Sequence, residues 1–413
     1  MSLIRPFAGL RPAPGRAGEV IAPPYDVLSS DEARARVAGK PWSFLHISKP
    51  EVDLPAGTGP YAPEVYAKAA ENLGVMLRKG VLVRDPAPCY YVYRLTMDGH
   101  TQTGLVAAAS IAEYESNRIR KHEHTQADKE TDRVRQIEAL SAHTGPVMVG
   151  YPNAPEVDEL LARCSAGMSD ADATADNGVR HSLWVVRDPG IQHRLTQAFD
   201  AMPAIYIADG HHRSAAALRV AAARRAANAR HTGEESYNTF LTVNFPHHQM
   251  RILDYNRVVS GLNGMDAAAF LKRVRENFSV QDSPTAVKPS RPGEFGLYVA
   301  GNWYRLAIRR ELVPADDPVA RHDATLLSEH LLGPILGIKD LRRDKRIDYV
   351  GGIRGLAELE KRVNSGEMTA AISLHPTSME DLMAVAEAGK VMPTKSTWFE
   401  PKLADGMVSL VLD

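Results

Sequence analysis

One segment constrains this chain more than any other. Ala204-Ile205-Tyr206-Ile207-Ala208 runs straight into Asp209-Gly210, then His211-His212-Arg213 and a long Ala/Arg stretch to residue 230. β-Branched and aromatic residues favour a strand, Asp-Gly breaks it, and Ala, Leu and Arg are strong helix formers. Strand, tight turn and helix follow in that order, and a strand feeding a helix needs a sheet to lie in. Further strands are expected at 89–97 and 103–111, as a hairpin around Asp98-Gly99, at 145–151, 182–188, 237–245 and 250–259, as a pair over 295–309, and at 347–350 and 369–374. Helical spacing points to 31–38, 61–79, 155–164, 266–277, 317–336 and 377–389, and the small, acidic stretch 165–179 reads as a surface loop. The expected class is α/β (mixed α+β). The expected division is 1–259, carrying the histidine-rich motifs, and 260–413.

The chain has 413 residues, and at roughly 150 per domain that means two or three domains. Its 49 Lys+Arg balance 50 Asp+Glu, which argues against a protein whose work is coating nucleic acid or an anionic membrane. Prolines at 6, 12, 14, 23 and 24 forbid a continuous N-terminal helix. Phe7, Leu10, Val20 and Ile21 suggest instead an ordered arm laid over the core. The N-terminus does not read as a signal peptide, and no apolar run reaches the roughly 18 residues of a membrane helix. Cys89 and Cys164 fit neither a disulfide framework nor a metal spacing, so a cytoplasmic protein is expected.

Three blocks have the residue types for anion chemistry. In the first, a helix start at Gly210 offers free backbone N–H groups and the positive end of a helix dipole. That arrangement receives phosphate or carboxylate. Gly210 permits close approach, Arg213 can grip phosphate oxygens, and His211 and His212 add imidazoles. Asp209 can orient or deprotonate a hydroxyl, or bind Mg²⁺. The second block is Lys121-His122-Glu123-His124-Thr125, followed by Lys129, Asp132 and Arg133. Alternation in an extended segment puts His122 and His124 on one side. They could join His211 or His212 around a metal, or Lys121 and Arg133 could hold phosphate with an imidazole donor. The third is Met392-Pro393-Thr394-Lys395-Ser396-Thr397, ending in Trp398-Phe399-Glu400-Pro401-Lys402. There Lys395 can neutralise an oxyanion, and Ser396 and Thr397 can donate hydrogen bonds. Plain alternatives remain for each: an N-cap turn, a solvated charged linker, and a surface loop fixed by its aromatic residues.

RPFAGLRP, VIAPPYDV, KHEHT, ADGHHR and MPTKSTWFEPKL together resemble the family designated domain of unknown function 1015, across residues 5–403. The DGHHR block is also similar to the Asp-Gly-His-x-Arg signature of free serine kinases in the ParB/sulfiredoxin superfamily. That similarity implies a strand–turn–helix nucleotide-binding core embedded in a larger chain, with Asp209, His211, His212 and Arg213 on phosphate.

The expected function is a nucleotide-dependent phosphotransferase, using ADP or ATP with Mg²⁺, acting on a small hydroxyl-bearing metabolite such as a serine-like amino acid or a hydroxy acid. Asp209 or Glu123 would be the base, Asp209 would also hold the metal, and Tyr25 and Asp26 would close over the acceptor. Lys121, His122, His124, Thr125, Arg133, Gly210, Arg213, Lys395, Ser396 and Thr397 would hold the donor. The folded chain is expected to gather the three blocks into one anion-binding cleft. The alternatives are a metal-dependent phosphate-ester hydrolase using His122, His124 and His211, and a non-catalytic nucleotide switch. The switch rests on Arg213, Arg219, Arg224, Arg225 and Arg230 along one helix, although no helix-turn-helix signature supports a nucleic-acid partner. No membrane partner is expected, and the sequence leaves the oligomeric state open.

Overall fold

Asp98 and Gly99 both take positive φ, 51° and 76°, giving a two-residue turn the twist that antiparallel strands need. In the computed structural model, which describes residues 2–413, this turn joins Tyr90–Met97 to His100–Ser110, with Met97 opposite His100. The hairpin lies within a nine-stranded sheet of mixed direction. From one edge the order is Ile119–Arg120, Ile205–Asp209, Val147–Tyr151, Thr239–Pro246, His100–Ser110, Tyr90–Met97, Arg180–Val186 and Ala171–Thr174, and Ile4–Arg5 adds to His100–Ser110. Val92, Leu105, Val149, Ile205, Ile207 and Phe240 are fully or almost fully buried in its core. Each such side chain contributes about 1.5–3 kcal/mol by leaving water.

The chain divides into two compact units. The first runs to Met250 and takes in Pro401–Asp413; the second is Arg251–Glu400. This division differs from the expected one at 259/260, because the last thirteen residues return to the first unit. Their strand Ser409–Val411 lies between Gly9–Pro12 and Ala142–His143 in a four-stranded sheet completed by Leu82–Arg84. The proline-rich arm is ordered: it supplies Ile4–Arg5, Gly9–Pro12, the short helix Ala17–Val20 and the turn Tyr25–Val27.

The second unit is built on a six-stranded antiparallel sheet, in the order Phe278–Ser283, Asn302–Ile308, Glu294–Val299, Ala370–Leu374, Tyr255–Val259, Ile347–Gly351. Helices Ala267–Asn277, Gly355–Asn364 and Met379–Glu387 accompany it, and Ile252–Leu253 pairs with Trp398–Phe399 near the two ends of the unit.

Three local expectations need correction. The acidic loop at 165–179 contains an edge strand, Ala171–Thr174, whose Ala171 and Ala173 are buried while Asp172 and Thr174 face water. Small residues gave too weak a hydrophobic alternation to register. The helical stretch 317–336 has one α-helical turn and a half, Asp323–Leu327, running into a π-helical turn, Ser328–Leu332. The strand at 250–259 is two strands in different sheets, Ile252–Leu253 and Tyr255–Val259. A helix at Pro189–Asp200, with Pro at its first position and the Asp188 side chain accepting from the Ile191 N–H, was not foreseen.

Candidate active site

Strand register assembles the site. Ile119–Arg120 runs parallel to Ile205–Tyr206, so residues 121–125 leave the sheet at the end where Ile205–Asp209 stops. Val147–Tyr151 is antiparallel to that strand, with Met148 opposite Asp209, and so delivers Gly145-Pro146 to the same place. Segments nearly ninety residues apart in sequence meet at one sheet end for purely topological reasons.

Gly210 takes φ 106°, and the helix His211–Ala227 begins at once, with no side chain capping its first turn. Its leading N–H groups and the positive end of its dipole are therefore left for an anion. Arg213 folds back: its Nη1 donates to the Pro146 carbonyl and its Nη2 lies 3.6 Å from Asp209 Oδ1. Lys402 Nζ donates to Asp209 Oδ2 at 3.0 Å. Burial alone would raise the Asp209 pKa, but Lys402 and Arg213 overcome it and hold the carboxyl well below the usual range. Asp209 is thus a fixed anion with both oxygens beside cations. That environment suits it poorly to the base and Mg²⁺ roles expected of it.

The two histidines of the helix start differ. His211 is buried, and burial, then the neighbouring His122, push its pKa well below the ordinary value. Its Nε2 accepts from the His122 backbone N–H at 3.4 Å, and its Nδ1 lies 3.8 Å from Glu123 Oε2. His212 Nε2 accepts from the Gln126 N–H at 3.1 Å, and burial lowers its pKa. His122 is 2% exposed, edge-on to His211 with ring centroids 4.4 Å apart. Burial drives the His122 pKa down to about 4, and its Nδ1 is buried without a hydrogen-bond partner. Donor atoms of His122, Glu123 and His211 all lie within 4.8 Å of one another. This is the one metal-capable grouping among the described residues, and it contains Glu123 where His124 was expected.

Next to this centre is a polar cavity of about 340 Å³, lined by Tyr25, Asp26, Lys129, Arg133 and His212 among others. The Arg133 guanidinium stacks 3.7 Å from the Tyr25 ring centroid and its Nε donates to Asp132 at 2.7 Å. Burial pushes the Tyr25 hydroxyl up to about 12. A smaller cleft brings Tyr25, Arg133 and Arg213 around Asp405, a residue sequence reasoning missed. Burial raises the Asp405 pKa to about 7, against the opposing pull of Arg213 and Arg133. One signal was available: Ala404-Asp405-Gly406 repeats Ala208-Asp209-Gly210, and both glycines have positive φ. Lys402 closes the Trp398–Lys402 segment, and nothing in the local sequence points to Asp209 as its partner.

The first unit thus brings together Tyr25, Asp26, His122, Glu123, Arg133 and residues 209–213. Three residues of the second block have other engagements or none: Lys121 lies over the Tyr114 ring at 4.4 Å, the Thr125 hydroxyl donates to Glu130, and His124 is exposed. The third block is split at Glu400/Pro401 between the two units. Lys395, Ser396 and Thr397 belong to the second, where Lys395 lies 5.6 Å from the Tyr255 ring and Ser396 Oγ donates to the Pro393 carbonyl. Lys402 is the member of that block that reaches Asp209. Along the Arg-rich helix, Arg219 contacts Thr131 and Glu130, Arg224 reaches Ser141, and Arg225 reaches Asn238. These partners engage three of the five arginines on which the switch reading rested.

The family described as "Protein of unknown function (DUF1015)" matches residues 4–327. A comparison with curated proteins returned no match. Among solved structures, a free serine kinase in complex with AMP aligns at TM-score 0.37 and 12% identity, covering 71% of this chain and 86% of that one. A conserved hypothetical protein from Pyrococcus furiosus aligns at 0.36 and 13%, covering 73% and 93%. SbnI with a C-terminal truncation, from Staphylococcus aureus, aligns at 0.37 and 11%, covering 74% and 87%. Among the described residues no helix is long and apolar enough to cross a membrane.

Proposed function

Because the chain belongs to the family described as "Protein of unknown function (DUF1015)", we propose a function from the site itself: nucleotide-dependent phosphoryl transfer to a small hydroxyl-bearing metabolite. The carrying observation is the uncapped start of His211–Ala227 after Gly210, with Arg213 and Lys402 beside it and a polar cavity adjoining. A phosphate of ADP or ATP seats on the N–H groups of that first turn, and Arg213 and Lys402 balance charge building on the transferring group. The acceptor, a serine-like amino acid or a hydroxy acid, occupies the cavity beside Tyr25, Asp26 and His212. Its oxygen attacks the terminal phosphorus, its proton passes to a carboxylate, and the bond to the leaving nucleoside phosphate breaks. Glu123 suits the base role better than Asp209, which two cations hold ionised. Among the described residues the one metal-capable grouping has two nitrogen donors, and Asp209 is engaged by two cations, so no step is assigned to Mg²⁺.

Thermal shift with ADP, ATP, CTP and inorganic phosphate tests the binding half. A nucleotide at about 100 times its Kd adds about 2.7 kcal/mol of stability, a clear rise in Tm. Absence of any nucleotide shift at millimolar concentration would sink the reading.

His122 favours a second reading, a metal-dependent phosphate-ester hydrolase. A buried imidazole nitrogen without a partner, beside His211 and Glu123, offers the N,N,O donors of a zinc-type ion. Glu123 cannot be ligand and base at once, which separates the two readings. Under phosphotransfer, Glu123→Gln abolishes turnover and leaves nucleotide binding intact. Under hydrolysis, the purified protein contains stoichiometric metal, which Glu123→Gln releases.

A further inference from the structure

The second unit has a cavity of about 590 Å³ that plays no part in the chemistry above. Asp323 lies in its wall, 6% exposed. Asp323 Oδ1 accepts from the Gly293 N–H at 2.8 Å, but Oδ2 is buried with no hydrogen-bond partner. A buried carboxylate oxygen left unmatched costs free energy, which a donor brought against it by a small turn of the side chain would return. Asp381 is also in the lining, so two acidic side chains border the cavity. Burial first, and then Asp381, raise the Asp323 pKa to about 7.

The remainder of the lining supplies the opposite charge and an apolar middle. Arg310 and Arg321 are exposed, and neither guanidinium has an acceptor among the described residues. Glu294, by contrast, is satisfied by Arg291 at 2.8 Å and Arg305 at 3.3 Å. Ile308, Val313 and Leu326 line the cavity as well. Convergent polar groups on largely apolar walls are the usual make-up of a small-molecule site, and about 590 Å³ is within the usual range.

We propose that this cavity binds a small zwitterion of amino-acid to dipeptide size, its ammonium on Asp323 and Asp381, its apolar body against Ile308, Val313 and Leu326, and its acid group on Arg310 and Arg321. The site lies within the second unit and is independent of the phosphotransfer reading.

Isothermal titration of the full-length protein tests it with L-leucyl-L-leucine and ε-aminocaproate, and with hexylamine and caproate as half-probes. At least one zwitterion is expected to bind, with each half-probe weaker by about tenfold or more. Asp323→Asn and the pair Arg310→Met/Arg321→Met are each expected to weaken the zwitterion by about tenfold or more. The arginine pair is exposed, so its replacement spares the core and guards against mistaking misfolding for lost binding. Failure of both zwitterions to bind at ~5 mM, half-probes that bind equally well, or an arginine-pair variant with unchanged affinity would overturn the proposal.

Discussion

At φ 106° Gly210 holds a conformation that L side chains rarely adopt, and an added Cβ would lie 3.3 Å from the Val147 Cα. Backbone on a central strand cannot easily withdraw, so Gly210→Ala should cost about 1–3 kcal/mol and weaken phosphate binding. Chemical denaturation and phosphate titration measure both; wild-type values for this variant would contradict the account. Asp405 gives a pH signature. Its native pKa, about 7, is above the roughly 3.9 of an unfolded aspartate. The native state therefore keeps a proton that the unfolded chain releases. The stabilisation is complete below pH ~4 and is lost as pH rises through ~7. Wild type should lose stability relative to Asp405→Asn across that window, and a stability difference that does not vary with pH would refute the assignment.

At the scale of elements, the C-terminal tail is the least expected contributor. Ser409–Val411 pairs on both sides, Leu403, Met407, Val408, Leu410 and Leu412 are buried, and Lys402 reaches Asp209. A chain ending at Glu400 leaves two strand edges open and loses five buried side chains worth about 1.5–3 kcal/mol each. Its first unit is expected to lose cooperative unfolding by circular dichroism; a transition at the wild-type temperature would contradict this. The strand–turn–helix and the hairpin were legible because Asp-Gly in each sits between strong local propensities. Legibility failed where long-range pairing decides. Nothing local tells Ile119–Arg120 to run beside Ile205, yet that pairing delivers His122 and Glu123 to His211. Nor does the MPTKST sequence reveal that the chain changes unit at Pro401. Asp405 was hidden because its partners, Tyr25, Arg133 and Arg213, are far from it in sequence.

For the whole molecule, near-neutral charge conceals local segregation. Arg133, Arg213 and Lys402 gather in the first unit around buried or ion-paired carboxylates, Asp132, Asp209 and Asp405. The second unit has its own core around Phe270, Phe278, Phe295, Leu297 and Ile372, and its two ends are paired through Ile252–Leu253 and Trp398–Phe399. Arg251–Glu400 alone should therefore fold, with dispersed amide resonances and a cooperative melt, while an unfolded spectrum would show that it depends on the first unit. The proposed function stands or falls on phosphate transfer from a nucleotide to a hydroxyl at the Asp209–Arg213 turn. ³¹P NMR of the protein with ATP or ADP and a panel of L-serine, L-threonine and small hydroxy acids reads that step out. A phosphomonoester signal is expected to grow as the nucleotide is consumed, and to be lost in Arg213→Met. Nucleotide left intact with every acceptor, or converted only to inorganic phosphate, would contradict it.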